Sequence, residues 1–333
     1  RMNYIGSKNK LSDFIISEIK NEVGEIKDKV FCEIFAGTGI ISRKIKLEVE
    51  KIIANDIEYY SYVLLRNYIG NQISFDYKKE LEELNSSIGS EGFIFKNYCF
   101  SNGCERNYFS DENGKKIDAI RAKIENWKAT KKISDDKYFF YLTSLLEAAD
   151  KVANTASVYG AYLKHLKKTA RANLNLEPAI FDVNGHQHEI FNEDANELIK
   201  KIEGDILYLD PPYNHRQYGS NYHLLNTIAE YKYFEPRGKT GLPNYFRSKY
   251  CFKNNAAEVL ESLIQSANFE YIFLSYNNEG IIDLEKIKKI FQSYGKYSVK
   301  QFNGYQRFKA DRDENRKYIA KNTVEYLHIL KKR

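Results

Sequence analysis

Apolar positions along the chain change period several times, and those changes outline its architecture. After a glycine-containing turn, Tyr4-Ile5-Gly6-Ser7-Lys8, residues Leu11, Phe14, Ile15 and Ile19 recur at helical spacing. Residues 30–35 form a short apolar run that reads as a buried strand. A helix to about Val49 and a second strand at 51–54 follow. This strand–helix–strand unit predicts the start of a doubly wound parallel sheet. Between about residues 70 and 180 the alternation is lost. Helical stretches are expected near 77–88, 115–131 and 136–170, around a polar loop at 97–114. Alternation resumes at Glu189, with strands at 205–209 and 271–275, a helix at 283–294, and closing strands at 297–302 and 324–330. The expected fold class is therefore α/β: a Rossmann-like, mostly parallel sheet with a C-terminal antiparallel hairpin, interrupted by a mainly helical insertion. The domains are expected at 1–70 with 181–333 for the core, and 71–180 for the insertion.

The 333 residues are long enough to bury a large core, and the composition, 43% hydrophobic and 29% charged, is that of an ordinary soluble protein. No apolar run approaches the roughly 20 residues that span a bilayer. The N-terminal residues lack the apolar core of a signal peptide, so no membrane association and a cytoplasmic location are expected. Cys32, Cys99, Cys104 and Cys251 are scattered. Cys99 and Cys104 are not followed by a second ligand pair at metal-binding spacing, which predicts reduced structural thiols and no metal site. A formal charge of +6 permits a polyanionic partner without demanding one.

Phe35-Ala36-Gly37-Thr38-Gly39 follows the first strand, where an α/β sheet of this kind binds its ligand. Ser42 stands where the dinucleotide fingerprint has its third glycine, so NAD fits poorly. Asp56, 17 residues after Gly39, closes the second strand, where a carboxylate can accept both hydroxyls of a ribose. Beside Ile57 it could equally cap a helix. S-adenosylmethionine has a ribose and no phosphate, which suits this shorter loop. The strand at 205–209 runs into Asp210-Pro211-Pro212-Tyr213. Two prolines remove two amide donors, so this edge offers acceptors: the Asp210 carboxylate and the Pro211 carbonyl. An exocyclic nucleobase amine needs such acceptors, because its lone pair is delocalised into the ring. Hydrogen bonds from its two protons favour a tetrahedral nitrogen aimed at a methyl donor. Tyr213 would stack on a base rotated out of its duplex. No cysteine follows a proline here, so attack through cytosine C5 lacks its nucleophile.

These motifs together resemble the Dam-like, alpha-group N6-adenine DNA methyltransferases, and are most similar to the FokI-type modification methylases. The resemblance covers nearly the whole chain except much of the insertion. It implies S-adenosyl-L-methionine as cofactor, contacted by Tyr4 and Lys8 in the N-terminal motif, by the glycine motif, by Asp56 with Ile57, and by Asp210. It also implies that Asp194, 16 residues before Asp210, reads the cofactor's adenine amine. Residues 218–223 and Ser275-Tyr276-Asn277-Asn278 carry the likeness to the FokI-type branch. The order of motifs around the insertion implies the alpha arrangement, with 71–180 as target-recognition region. Double-stranded DNA is the implied substrate, a restriction-modification system or phage the implied setting, and a cognate restriction endonuclease a further partner.

DNA contacts are expected in three places. Lys164, His165, Lys167, Lys168 and Arg171 cluster on a helix expected to end before Leu174, which could equally be a solvated face. Tyr305, Arg307, Phe308, Lys309, Arg312, Arg316 and Lys317 interleave aromatics with cations between the closing strands. Arg216 and Tyr218, with His215, lie on a loop expected to close over the flipped adenine. Asn102, Glu105, Arg106 and Asn107 could read base edges or be ordinary polar loop residues. The tetrapeptide alone leaves open an RNA adenine or cytosine N4 as acceptor, and a third reading is a non-catalytic DNA-binding regulator on the same fold.

Overall fold

The computed structural model describes residues 11–156, 158–302 and 324–333. They form two compact units. The core comprises residues 11–65, 182–217, 246–302 and 324–333; the helical unit comprises 66–181 and 218–245.

The core is built on seven strands: β1 (Val30–Glu33), β2 (Lys51–Asn55), β3 (Glu189–Phe191), β4 (Glu203–Leu209), β5 (Asn268–Asn277), β6 (Gly295–Phe302) and β7 (Glu325–Lys332). They join in the order β3-β2-β1-β4-β5-β7-β6. β1 to β5 run parallel, and β7 lies antiparallel to both β5 and β6. The mostly parallel sheet and antiparallel C-terminal pair match the sequence expectation. Parallel strands are covered on both faces, so they read as unbroken apolar runs rather than alternating ones. Phe31, Cys32, Ile52, Ile53, Ala54 and all of Ile206, Leu207, Tyr208 and Leu209 are buried. Glu33 pairs with Ala54 of β2 and Tyr208 of β4, so three central strands end level with one another. The order reverses between β1 and β4, which opens a crevice at their carboxyl ends.

Along the chain the helices are α1 (Ser12–Val23), α2 (Ile40–Ile45), α3 (Tyr59–Leu65), α4 (Lys78–Asn85), α5 (Phe93–Tyr98), α6 (Asp111–Ala129), α7 (Asp135–Val152), α8 (Ala195–Leu198), α9 (Tyr218–Asn221), α10 (His223–Glu230), α11 (Ala256–Ser266) and α12 (Leu284–Tyr294). No helix among the described residues is long and apolar enough to cross a membrane. In the helical unit, Ser110 and Ser134 cap α6 and α7 by accepting the amides of Asn113 and Lys137. The helix expected over 136–170 stops at Val152. Beyond it, backbone groups are claimed by side chains instead of an i−4 ladder: Asn107 donates to the Leu163 and Lys164 carbonyls, and Asn154 accepts the Lys167 amide. Lys164 therefore lies in a loop, and Lys168 opens a single 3-10 turn, Lys168–Arg171.

The helical unit also takes in residues 218–245, which the sequence pattern groups with the core. Two buried charges on α6 account for this. Arg121 donates through Nε to the Ile228 carbonyl at 3.0 Å and through Nη2 to the Ala229 carbonyl at 3.0 Å, satisfying the end of α10. One turn earlier, Asp118 accepts the amides of Gly92, Ile94 and Phe95 and the hydroxyl of Tyr231. A charged donor to two buried carbonyls contributes roughly 2–3 kcal/mol, since both lose their partners when it is removed. Arg121→Met should thus lower the urea midpoint for unfolding and speed hydrogen exchange in α10. An unchanged midpoint with unchanged α10 exchange would show that Arg121 does not hold that helix.

Candidate active site

The chain turns sharply after β1. The Ala36 amide donates to the Asn55 carbonyl at 2.9 Å, and the Gly39 amide to the Ala36 carbonyl at 2.7 Å. Gly37 (φ 54°) and Gly39 (φ 69°) adopt left-handed backbone, which glycine enters without a Cβ penalty. Gly39 is doubly constrained, because a Cβ there would stand 2.6 Å from Leu65 Cδ2. Asp56 ties this turn to β2: Oδ2 accepts the Gly37 amide at 2.7 Å, and Oδ1 accepts the Glu58 amide at 2.9 Å. Burial pushes its carboxyl up to about 6, against the pull of those two amides. Asn192 on the β3 side donates to the carbonyls of Asp56 and Ile57. The Asn55 side chain links the ends of β1 and β3, donating to the Ile34 and Glu193 carbonyls and accepting the Glu193 amide. Asp194 caps α8 by accepting the amides of Asn196 and Glu197.

β4 delivers Asp210-Pro211-Pro212-Tyr213 to the same edge of the sheet, one strand from the glycine turn. Pro211 is buried; Asp210, Pro212 and Tyr213 are half-buried. The Tyr213 ring meets the Tyr276 ring edge-on, with centroids 6.0 Å apart, and its carbonyl accepts the Ile281 amide. Tyr276 is fixed in turn, since its hydroxyl accepts the Ile282 amide at 3.1 Å. Below them the Tyr208 hydroxyl lies 2.9 Å from Ser275 Oγ across β4 and β5. Tyr213 is thus braced by a second aromatic ring in a T-shaped contact.

Sequence reasoning missed Glu33 and Tyr250. Glu33 interrupts the apolar β1 run and is 3% exposed. Its Oε2 accepts both the Ser42 amide and hydroxyl, yet burial pushes the carboxyl up to about 8, with the negative charges of Asp210 and Asp56 adding to the rise. A charged residue inside a strand pattern was the available signal. Tyr250 is buried, stands edge-on to Phe35 at 5.1 Å, and donates to Asn196 Oδ1 at 2.8 Å. Nothing in local spacing marks it, because it reaches the site from a one-turn helix.

Phe35, Ala36, Gly37, Gly39, Asp56, Ile57, Asp194 and the tetrapeptide all stand at the carboxyl edge formed by β1, β2, β3 and β4. Arg216 belongs to the core, whereas Tyr218, Lys164 and Lys168 belong to the helical unit. Lys164 and Lys168 are exposed, and Tyr218 stacks on Tyr222 at 6.1 Å. Arg106 and Asn107 donate to backbone carbonyls inside the helical unit, at Asn97, Gly238, Leu163 and Lys164, which makes them structural. Tyr4 and Lys8, and Arg307, Lys309, Arg312 and Arg316, lie outside the described residues.

Comparison with known proteins agrees with this layout. The family model of the D12 class N6 adenine-specific DNA methyltransferases matches residues 4–322. The chain is 59% identical to the type II methyltransferase M.NlaIII of Neisseria lactamica, over 99% of both chains. It is 37% identical to M.CviAII of Paramecium bursaria Chlorella virus 1, over 99% of this chain and 98% of that one. It is 41% identical to M.FokI of Planomicrobium okeanokoites over 88% of its own length, which spans 47% of that longer protein. A carboxylate-and-proline edge beside a glycine turn, and a match across almost the whole chain, place this protein in the D12 class of N6 adenine-specific DNA methyltransferases.

Proposed function

We propose that the protein binds S-adenosylmethionine against Phe35-Ala36-Gly37-Thr38-Gly39, Asp56, Ile57 and Asp194, and presents to it the N6 amine of an adenine rotated out of duplex DNA onto Asp210-Pro211-Pro212-Tyr213. The observation that carries this reading is the adjacency of β1 and β4, which brings the glycine turn and the tetrapeptide to neighbouring strand ends. The residues present fit the cofactor. Each Asp56 oxygen already accepts one amide and has a further lone pair for a ribose hydroxyl. The two left-handed glycines keep the turn low enough for close approach. When bound, S-adenosylmethionine supplies a methyl group on a positively charged sulfur.

The chain's own residues do the rest. Asp210 and the Pro211 carbonyl accept the two N6 protons, shifting the nitrogen lone pair out of conjugation and orienting it. Tyr213, held by Tyr276, stacks on the base with a contribution of roughly 1–3 kcal/mol. After transfer Asp210 takes the surplus proton and passes it to solvent. The helical unit serves as target-recognition region, with Lys164, Lys168 and Tyr218 as its DNA contacts, and Arg216 is a DNA contact of the core. The type II designation of the relatives supports a role as the modification component of a restriction-modification system acting on cytoplasmic DNA, with a cognate endonuclease as counterpart.

Asp210→Ala should abolish labelled-methyl transfer to duplex DNA while leaving the unfolding midpoint near that of the parent. Turnover within tenfold of the parent would overturn the catalytic assignment. A second expectation concerns pH. Asp56 can accept a ribose hydroxyl at each oxygen, beside the amides it already holds, only when ionised, and burial pushes its carboxyl up to about 6. Cofactor affinity should therefore be level above that value and weaken as pH falls through it, approaching tenfold per pH unit. Calorimetric titration from pH 8 to pH 5 checks this, and Asp56→Asn should bind weakly at every pH. A flat profile in the parent would remove Asp56 from the ribose site.

A further inference from the structure

The chain leaves the core after Gln217, builds 218–245 into the helical unit, and re-enters the core at Phe246. Both ends of that excursion are pinned within the core by one short segment. Ser248 and Gln217 form a reciprocal pair: the Ser248 amide donates to Gln217 Oε1 at 2.8 Å, and Gln217 Nε2 donates to the Ser248 carbonyl at 3.3 Å. The adjoining 3-10 turn, Lys249–Cys251, holds the two preceding loop residues. The buried Cys251 thiol donates to the Arg216 carbonyl at 3.4 Å, and His215 Nδ1 donates to the Cys251 carbonyl at 3.1 Å. His215, Arg216 and Gln217, which follow the catalytic tetrapeptide, are therefore fastened to Ser248 and Cys251 of the returning chain.

The middle of that turn faces elsewhere. Tyr250 is 5% exposed and packs its ring edge-on against Phe35, while its hydroxyl is held by Asn196, whose amide is capped by Asp194. Phe35 and Asp194 are two of the positions that Proposed function gives to the cofactor, and the inference rests on that reading. We infer that Tyr250 is a positioning residue: it couples the cofactor pocket, through Ser248 and Cys251, to the loop His215-Arg216-Gln217 that follows the catalytic tetrapeptide. A ring wedged at Phe35 cannot shift without moving the Ser248 and Cys251 backbone groups on either side of it. Close-packed interiors transmit such displacements rather than absorb them. By linkage, whatever the cofactor does to the loop, the loop does to cofactor affinity in equal measure.

Hydrogen exchange on the whole protein, with and without saturating S-adenosylhomocysteine, tests this without turnover. In the parent, the product should slow exchange in the peptides covering 214–218 and 247–252. Gln217→Ala leaves Tyr250 and the pocket intact but cuts the pair with Ser248. It should still bind S-adenosylhomocysteine within about threefold of the parent, a difference of under one kcal/mol, and protect 247–252, yet weaken the response at 214–218, where the Cys251 bonds to His215 and Arg216 remain. Tyr250→Ala should lose the response at 214–218 at saturating product, and Tyr250→Phe, which keeps the ring at Phe35, should largely restore it. In turnover at saturating cofactor, the alanine variants should lower kcat on duplex DNA about tenfold, with Tyr250→Phe near the parent. Retention of the full 214–218 response in Tyr250→Ala, or its absence in a parent that binds the product, overturns the coupling. A parent that binds no S-adenosylhomocysteine, or an Asp56→Ala variant that binds it as well as the parent, overturns the cofactor reading on which the coupling stands.

Discussion

The bond from the Gly37 amide to the Asp56 carboxylate is the constraint from which the rest of the site follows. It joins the turn after β1 to the end of β2, so the two strand ends are fixed to each other. The carboxylate that shapes the turn is also the group proposed to take a ribose, and its second amide bond, from Glu58, fixes its orientation. Asn55 extends the same logic to β3, holding the β1 and β3 ends with one side chain. β4 then lies against the other side of β1 and brings Asp210 to the same edge. Preorganisation of this kind keeps donors and acceptors fixed, so that reorganisation does not add to the barrier.

Acid is concentrated in this crevice. Burial raises Glu33 to about 8, with the negative charges of Asp210 and Asp56 adding to the rise, and burial raises Asp56 to about 6. Desolvation disfavours the charged forms, while a nearby positive charge favours them. A cationic methyl donor thus suits the pocket electrostatically, whereas a phosphate-bearing dinucleotide would add negative charge to it. The same burial disfavours a negative charge on Glu33, so the site carries less negative charge than its composition suggests.

Much of this was legible in the sequence, for identifiable reasons. Parallel strands write themselves as apolar runs, and the residues that terminate them, Gly37, Asp56 and Asp210, sit at strand ends where backbone chemistry demands special residues. The helical unit was harder. The end of α7 at Val152 depends on Asn107 and Asn154, distant side chains that take the backbone bonds of the following segment. Residues 218–245 leave the core because Arg121 and Asp118, about a hundred residues earlier, bind the end of α10 and Tyr231. Tyr250 was invisible for the same reason: its partners Phe35 and Asn196 are far from it in sequence. Local periodicity reports local structure, and these features are decided by tertiary hydrogen bonds.

The central claim is that acceptors at the end of β4 present an adenine amine to a methyl donor held at the end of β1. Nucleoside analysis by mass spectrometry, after reaction of the purified protein with duplex DNA and methyl-labelled S-adenosylmethionine, tests it most directly. The account predicts label in N6-methyladenine alone. Label in N4-methylcytosine, or transfer to RNA in preference to duplex DNA, would contradict it.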